Sequence, residues 1–180
     1  MLNSSRPRFH SELLNNIHFS IQKEKDLKRR VDVQLLIPHA IEQVWQCLTT
    51  YNRLPDIISN LSRCRLLNQI GVHKQVEMVG YCRILNVGFS LRLVLEVIES
   101  APYRIETQLV QGDLRSYWGL WCLTEQGEHS MLLSYSAEFI PKLGMPLRLI
   151  EKQVQTLLPL NFLAIRLNLD QTNPDLGTLD

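Results

Sequence analysis

Hydrophobic and polar residues alternate with a period of two along most of this chain. The alternation is regular over residues 89–97 and 131–139, where every second residue is apolar. A period of two is typical of β-strands that bury one face. Similar runs occupy residues 17–21, 31–37, 60–68, 74–85, 103–110 and 117–124. Because short polar turns join consecutive runs, the pattern predicts an antiparallel meander.

Two segments place their apolar residues at a helical period instead. Positions 41, 44, 45 and 48 fit one face of a short helix that begins after Pro38. Pro55 cannot continue that helix, so residues 54–58 are expected to form a second short helix. At the end of the chain, residues 145–167 are predicted to form one long helix with a kink at Pro159.

The order of these elements predicts one domain over residues 30–167. It would have a curved antiparallel sheet of six to seven strands, two short helices after the first strand, and one long C-terminal helix. Residues 1–29 form an N-terminal extension that can add one strand, and residues 168–180 are expected to be a flexible tail. One helix cannot cover the inner face of a long curved sheet, so the arrangement predicts a cavity between them.

Composition and charge narrow the function classes. The net charge is +1 over 180 residues, so no global field favours nucleic acid. No apolar run is long enough for a transmembrane helix, and the N-terminal residues lack the apolar core of a secretory signal. The four cysteines lie far apart without a CxxC pair, which indicates reduced, buried thiols rather than a zinc site. These features favour the cytoplasm, with no metal and no cofactor.

Groups that could perform acid–base chemistry are sparse. Glu96 and Arg92 are the weak catalytic candidates, because a carboxylate in an apolar cavity would have a raised pKa. They alternate with the apolar positions, however, and are expected to face water unless a bulge at Gly88 reverses the strand. The same question applies to Glu77 and His73, which could act as acid or base only if their side chains pointed into the cavity.

Other polar and small residues have simpler interpretations. His39 is expected on the surface at a helix start, and Lys28-Arg29-Arg30 is interpreted as a solvated strand end. Gly80 and Gly119 lie in strands, where bulges or tight packing explain them.

The order of elements resembles the helix-grip fold of the START-like superfamily, also called SRPBCC or polyketide cyclase/dehydrase. The resemblance covers about residues 30–167. Several segments are similar to the cyclase/dehydrase branch of cyanobacteria and plastids, and the Tyr51/Leu54-Pro55 element also resembles coenzyme Q-binding START-like proteins. The matching segments are Ile37-Pro38 with residues 41–45, Tyr51-x-x-Leu54-Pro55 with Asn60-Leu61, residues 89–95, Gly112-Asp113, Met145-Pro146 with residues 149–151, and residues 160–166.

The leading hypothesis is a protein that binds, and transports or sequesters, a hydrophobic small molecule: a lipid, a quinone, or another isoprenoid or polyketide. The residues expected to line its cavity are Leu91, Leu93, Leu95, Tyr117, Trp121, Leu133, Tyr135, Met145, Leu149 and Val154. For Tyr117 and Trp121, packing in the core is the alternative. Those expected at its mouth are Tyr51, Leu54, Asp113 and Arg115. For Asp113 and Arg115, an exposed turn pair is the alternative.

Two further hypotheses stay open at this point. The family name implies an aromatase/cyclase-dehydratase, which needs an acid or base that points into the cavity. A collapsed cavity would instead indicate a protein-interaction module. The expected partners are a hydrophobic ligand and, transiently, a membrane surface, while the oligomeric state cannot be deduced.

Overall fold

The sheet consists of eight antiparallel strands in the computed structural model, which describes residues 14, 16–84 and 87–172. Its strand order is β1-β2-β8-β7-β6-β5-β4-β3. The strands are β1 (His18–Lys23), β2 (Arg29–Ile37), β3 (Leu61–Ile70), β4 (His73–Ile84), β5 (Val87–Ser100), β6 (Arg104–Gly112), β7 (Leu114–Gly127) and β8 (Ser130–Pro141). The α+β helix-grip fold predicted from the sequence is confirmed.

The helices follow the predicted order. They are α1 (Ile41–Thr49), a 3-10 turn (Tyr51–Arg53), α2 (Leu54–Ile57) and α3 (Leu147–Thr172). Helix α3 continues to Thr172, five residues beyond the predicted end at Leu167, with Pro159 inside it. Of the expected tail, residues 168–172 are therefore helical, while residues 173–180 lie outside the described residues.

The strand count is higher than the six to seven expected for the domain. The additional strand is β1 in the N-terminal extension, which pairs with β2 at the edge of the sheet and places Phe19 opposite Val33. The first thirteen residues of the extension lie outside the described part.

Gly88 does not produce the bulge that would have turned Arg92 and Glu96 inward. It pairs in regular register with Arg83 of β4, and the irregularity of β5 lies between Val94 and Leu95, opposite β6. A Cβ atom on Gly88 would overlap the ring and hydroxyl of Tyr81. The glycine therefore permits close packing, and residues 89–93 keep their alternation.

The core occupies one half of the concave face. Here α1 and the second half of α3 cover the sheet, and β8 alternates between buried and half-buried residues along its whole length. Among the largest fully buried side chains are Leu35, Ile37, Leu95, Met131, Leu133, Phe162 and Ile165.

His39 is buried at 1% exposure, so its expected place on the surface was wrong. Its Nε2 atom lies 2.7 Å from Oδ1 of Asp170 in the last turns of α3. Arg166 also donates from Nη1 to the Leu36 carbonyl at 3.3 Å. A buried imidazole is stable when a carboxylate bonds to it. The pair therefore attaches the end of α3 to the loop that precedes α1.

Replacing Asp170 with alanine should lower the free energy of unfolding by about 1–3 kcal/mol, because it removes the hydrogen-bond partner of a buried imidazole. Urea unfolding followed by circular dichroism measures this change. Gln171→Ala, an exposed position on the same helix, is the control and should change stability by less than about 0.5 kcal/mol. Equal losses in both variants would contradict the attachment.

Candidate functional site

A cavity of about 310 Å³ lies between the concave face of the sheet and the first half of α3. Its helical wall is Met145, Pro146, Ile150, Gln153, Val154, Leu157, Leu158 and Asn161. Its other wall is Val31, Asn60, Gly80, Tyr81, Phe89, Ser90, Leu91, Leu93, Leu114, Tyr117, Tyr135, Ala137 and Phe139. Most of these side chains are apolar.

The cavity ends where large side chains of α3 reach the sheet. Trp121 stacks on Phe162 with ring centroids 5.4 Å apart and also contacts Tyr135 at 4.4 Å. Tyr135 lines the cavity, whereas Phe162 is fully buried in the core. Trp121 therefore separates the cavity from the packed half of the concave face.

The cavity is open at its other end. Phe89 lines it with an inward side chain and is nevertheless 41% exposed. Phe89 lies near the start of β5, and Pro146, just before α3, is also exposed and lines the cavity. Entry therefore runs between the start of β5 and the beginning of α3.

Six of the ten side chains expected in the cavity lie in its wall: Leu91, Leu93, Tyr117, Tyr135, Met145 and Val154. The other four do not. Leu95 lies two residues after Leu93, and Leu133 lies two residues before Tyr135, on the same face of the sheet. Both are buried in the core, at 1% and 0% exposure, rather than in the cavity wall. Trp121 lies at the boundary between the cavity and the packed core. Leu149 lies next to the face of α3 that lines the cavity through Ile150 and Val154, but not on it.

Several wall residues were missed by sequence reasoning. Gly80, Ala137 and Phe139 continue the inward alternation of β4 and β8, so the period of two contained a signal for them. Asn60 lies in the connection between α2 and β3, and no local pattern indicates its position.

Tyr51 and Leu54 were expected at the cavity mouth, but the structure places both in the core at 7% and 5% exposure. The Tyr51 phenol donates to Glu99, whose two carboxylate oxygens accept from Lys74 Nζ at 2.7 and 2.8 Å. Burial, followed by the contact with Glu99, raises the pKa of Tyr51. The polar cluster holds this segment in place, which is why it cannot act as the entrance.

Asp113 and Arg115 flank Leu114, which lines the cavity, but their own side chains are exposed and outside its wall. Asp113 Oδ2 accepts a hydrogen bond from the Arg92 backbone at 2.7 Å, and its own N–H donates to the Arg92 carbonyl at 2.9 Å. Asp113 thus stabilises the connection between β6 and β7 beside the cavity.

The weak catalytic candidates lie on the outer face of the sheet. Arg92 is exposed, and its Nε bonds to Glu77 Oε1 at 2.8 Å, while Arg65 Nε bonds to Glu77 Oε2 at 2.8 Å. The hydrogen bond from Arg92, together with the charge of Arg65, holds the pKa of Glu77 below its ordinary value. Glu96 lies 3.0 Å from His73 Nδ1 in an exposed pair. Glu77 is only 3% exposed beneath these arginines, so its expected exposure to water was wrong. All four side chains nevertheless lie outside the cavity wall.

Two phenols are the central polar groups of the cavity. Tyr117 Oη and Tyr135 Oη lie 2.8 Å apart, and Thr107 beside them donates to the Gly119 carbonyl at 3.1 Å. Burial raises the pKa of both tyrosines, so both are protonated at neutral pH. They therefore act as hydrogen-bonding groups without charge.

Gly119 provides the space that this arrangement needs. A Cβ atom at this position would lie 2.6 Å from both Thr107 Oγ1 and Tyr117 Oη, closer than carbon and oxygen can approach without displacement. Tight packing, one of the two explanations offered by the sequence, is thus the one that the structure supports.

Gly119→Ala should destabilise the protein by about 1–3 kcal/mol, since overpacking displaces Tyr117 and Thr107. The matched control is Gly80→Ala, whose Cβ would meet nothing nearer than 3.8 Å and should not destabilise the fold. Chemical unfolding of both variants tests the difference. A Gly119→Ala protein as stable as the parent would contradict it.

Within the described ranges, no helix is long and apolar enough to cross a membrane. The same residues contain no group of three or more histidine, cysteine or acidic side chains that could hold a metal ion. Cys47, Cys64 and Cys122 are free thiols, and burial raises the pKa of Cys64 to about 12.

Comparison with solved structures supports the fold. A START superfamily protein from Mycobacterium smegmatis has a TM-score of 0.66 at 19% identity, covering 79% of this chain and 98% of that one. The Zhui aromatase/cyclase from Streptomyces sp. R1128 has a TM-score of 0.68 at 10% identity, covering 84% and 99%. Human STARD10 has a TM-score of 0.68 at 13% identity, covering 97% and 82%.

At these identities, structural likeness shows the architecture, and one architecture hosts many functions. No curated protein matches this chain. A family model described as "Polyketide cyclase / dehydrase and lipid transport" matches residues 37–163, which is more than half of the chain. The chain therefore belongs to the polyketide cyclase / dehydrase and lipid transport family.

Proposed function

We propose that this protein binds a hydrophobic small molecule in the cavity beneath α3 and transports or sequesters it. The observation that carries the proposal is the apolar cavity of about 310 Å³. Its size lies at the lower end of the roughly 300–1,000 Å³ typical of small-molecule sites. A collapsed interior, which would favour an interaction module, is not what the described residues form.

Apolar burial provides the driving force. Each Å² of apolar ligand surface removed from water contributes about 25 cal/mol, so a compact apolar ligand can bind without an ion pair. The exposed side chain of Phe89 at the open end offers it a first apolar contact. Transient contact of this end with a membrane surface is part of the proposal, because hydrophobic ligands reside in membranes.

The family description includes lipid transport, which supports a lipid-like ligand. We extend this to quinones and other isoprenoid or polyketide compounds, following the sequence resemblance to cyanobacterial, plastid and coenzyme Q-binding members. The reduced state expected for the cysteines makes the cytoplasm the proposed compartment. An aromatase/cyclase activity has less support, because Glu96, Arg92, Glu77 and His73 all lie outside the cavity wall.

Native mass spectrometry of the protein purified from its own host tests this function. We expect a hydrophobic compound bound in a one-to-one ratio, released on denaturation and identified after solvent extraction. A protein that carries no compound and binds none from a panel of lipids and quinones would overturn the proposal.

A further inference from the structure

The cavity wall contains no charged side chain among the residues that the structure describes. Its polar members are amides, hydroxyls and phenols, such as Asn60, Ser90, Tyr117, Tyr135 and Gln153. An ion buried there would lose its hydration without gaining an opposite charge, which is strongly unfavourable. A carboxylate or phosphate is therefore excluded from the inner part of the cavity.

The two phenols, Tyr117 and Tyr135, carry two hydroxyl hydrogens, but the hydrogen bond between them needs only one. Only one phenolic hydrogen can lie between Tyr117 Oη and Tyr135 Oη, which are 2.8 Å apart. The Thr107 hydroxyl hydrogen is directed to the Gly119 carbonyl, and its oxygen lies 3.4 Å from Tyr117 Oη, beyond the usual range for two hydroxyls. One phenolic hydrogen thus lacks a good acceptor in the described structure, and both phenols line the cavity.

Asn60 contributes a second unpaired group. It lines the cavity, and its Oδ1 atom is buried without a hydrogen-bond partner among the described residues. Buried polar atoms are usually bonded, so this unpaired acceptor in the cavity wall is suited to a hydrogen-bond donor on the ligand.

On the basis of the proposed function, we infer that the ligand is an uncharged molecule with an oxygen acceptor, such as a carbonyl, which accepts a hydrogen bond from the Tyr117–Tyr135 pair. Apart from one hydroxyl or N–H that can donate to Asn60 Oδ1, the remainder of the ligand is apolar and fills the space between β4, β5 and the first half of α3. Neutral ketones and quinones meet this description, whereas fatty-acid anions and phosphate-bearing lipids do not.

Four compounds that share one diphenyl framework separate these properties. Benzophenone carries the acceptor, diphenylmethanol a hydroxyl, diphenylmethane no oxygen and diphenylacetate a charge. Isothermal titration calorimetry on the delipidated protein should show benzophenone binding about fivefold more tightly than diphenylmethane, as expected for one net hydrogen bond. Diphenylacetate should bind at least about tenfold more weakly than benzophenone.

The count of hydrogens also predicts how variants behave. Tyr117→Phe or Tyr135→Phe alone leaves one phenol whose hydrogen is free, so each single variant should retain part of the preference for benzophenone. The double variant should bind benzophenone and diphenylmethane equally. It should also fold, because both partners of the buried hydrogen bond are replaced together. Tyr103→Phe, at an exposed position, is the control and should keep the full preference.

The outcomes distinguish this inference from the proposed function. Equal affinity of the parent protein for benzophenone and diphenylmethane, or a preference that survives in the double variant, would overturn the inference while the cavity remains a binding site. Tightest binding of diphenylacetate would overturn it as well. If none of the four compounds binds, the proposed function itself fails.

Discussion

Replacing Gly80 with leucine is expected to weaken ligand binding by roughly tenfold or more while leaving the protein folded. Gly80 lines the cavity, and a Cβ atom on it would meet only the backbone oxygens of Asn60 and Leu91, at 3.8 and 3.9 Å. The leucine side chain therefore fits without a steric clash, and it fills cavity volume that the ligand would otherwise occupy. Each CH₂ group of ligand burial prevented in this way removes about 0.8 kcal/mol of affinity.

The same substitution should stabilise the ligand-free protein by about 0.5–2 kcal/mol, because it fills an apolar cavity and replaces a glycine in a strand. Calorimetric titration with benzophenone and thermal unfolding measure the two effects. Gln75→Leu, exposed on the same strand, is the matched control and should leave affinity unchanged. Undiminished affinity in a folded Gly80→Leu protein would show that ligands bind elsewhere.

Replacing Glu151 with glutamine should have the largest effect on stability, about 3 kcal/mol. The Arg29 guanidinium donates from Nε to Glu151, and their side chains are only 8% and 12% exposed. Arg29 was expected at a solvated strand end, and its burial is a correction. Removing one partner of a buried ion pair leaves the other charge without compensation, which costs about 3–5 kcal/mol. Because Glu151 keeps some contact with water, we expect a loss at the lower end of this range.

The pH dependence of stability provides a second measurement. The hydrogen bond from Arg29 is the main cause that lowers the pKa of Glu151 below its ordinary value of 4.5. This carboxylate therefore contributes stability that is fully present above about pH 4.5 and is lost as the pH falls through the lower, folded-state value. In Glu151→Gln, this part of the acid sensitivity should disappear, while the part due to Glu77 remains.

Glu106→Gln is the matched control for the ion pair. Glu106 lies 3.0 Å from Arg104, but both side chains are well exposed at 38% and 48%. Such a pair contributes little, so its loss should change stability by less than about 1 kcal/mol. If Glu151→Gln and Glu106→Gln unfold at the same denaturant concentration, the buried pair does not anchor the helix.

These pairs explain how an apolar cavity can persist. Near its start, α3 is attached to β2 by Arg29–Glu151 and to β1 by Lys23, whose Nζ lies 3.4 Å from Glu151. Near its end, it is attached by His39–Asp170. Between these points the first half of the helix leaves a cavity beneath it, although Ile150, Val154 and Leu158 also contact the edge of the core. The second half places Phe162, Ile165 and Leu169 within the core. Polar contacts at both ends of α3 thus hold the helix above a cavity that apolar burial alone would tend to close.

The order and type of the elements, and the face that each strand presents to the helix, were determined by the sequence itself. Alternation placed Leu91, Leu93, Tyr117 and Tyr135 inward and Arg92 outward, because successive side chains in a strand point to opposite sides. Tertiary structure alone decided which inward residues meet the cavity. Leu133 and Tyr135 follow the same pattern, yet Tyr135 lines the cavity and Leu133 is fully buried in the core.

The polar contacts that hold the helix were likewise decided only by the tertiary structure. Arg29 and Glu151 are 122 residues apart, and His39 and Asp170 are 131 residues apart. Local periodicity reports on neighbours within a few positions and contains no information about partners at such separation. For this reason the sequence predicted that a cavity exists, but its boundaries, its entrance and the contacts that anchor α3 above it could be identified only in the folded chain.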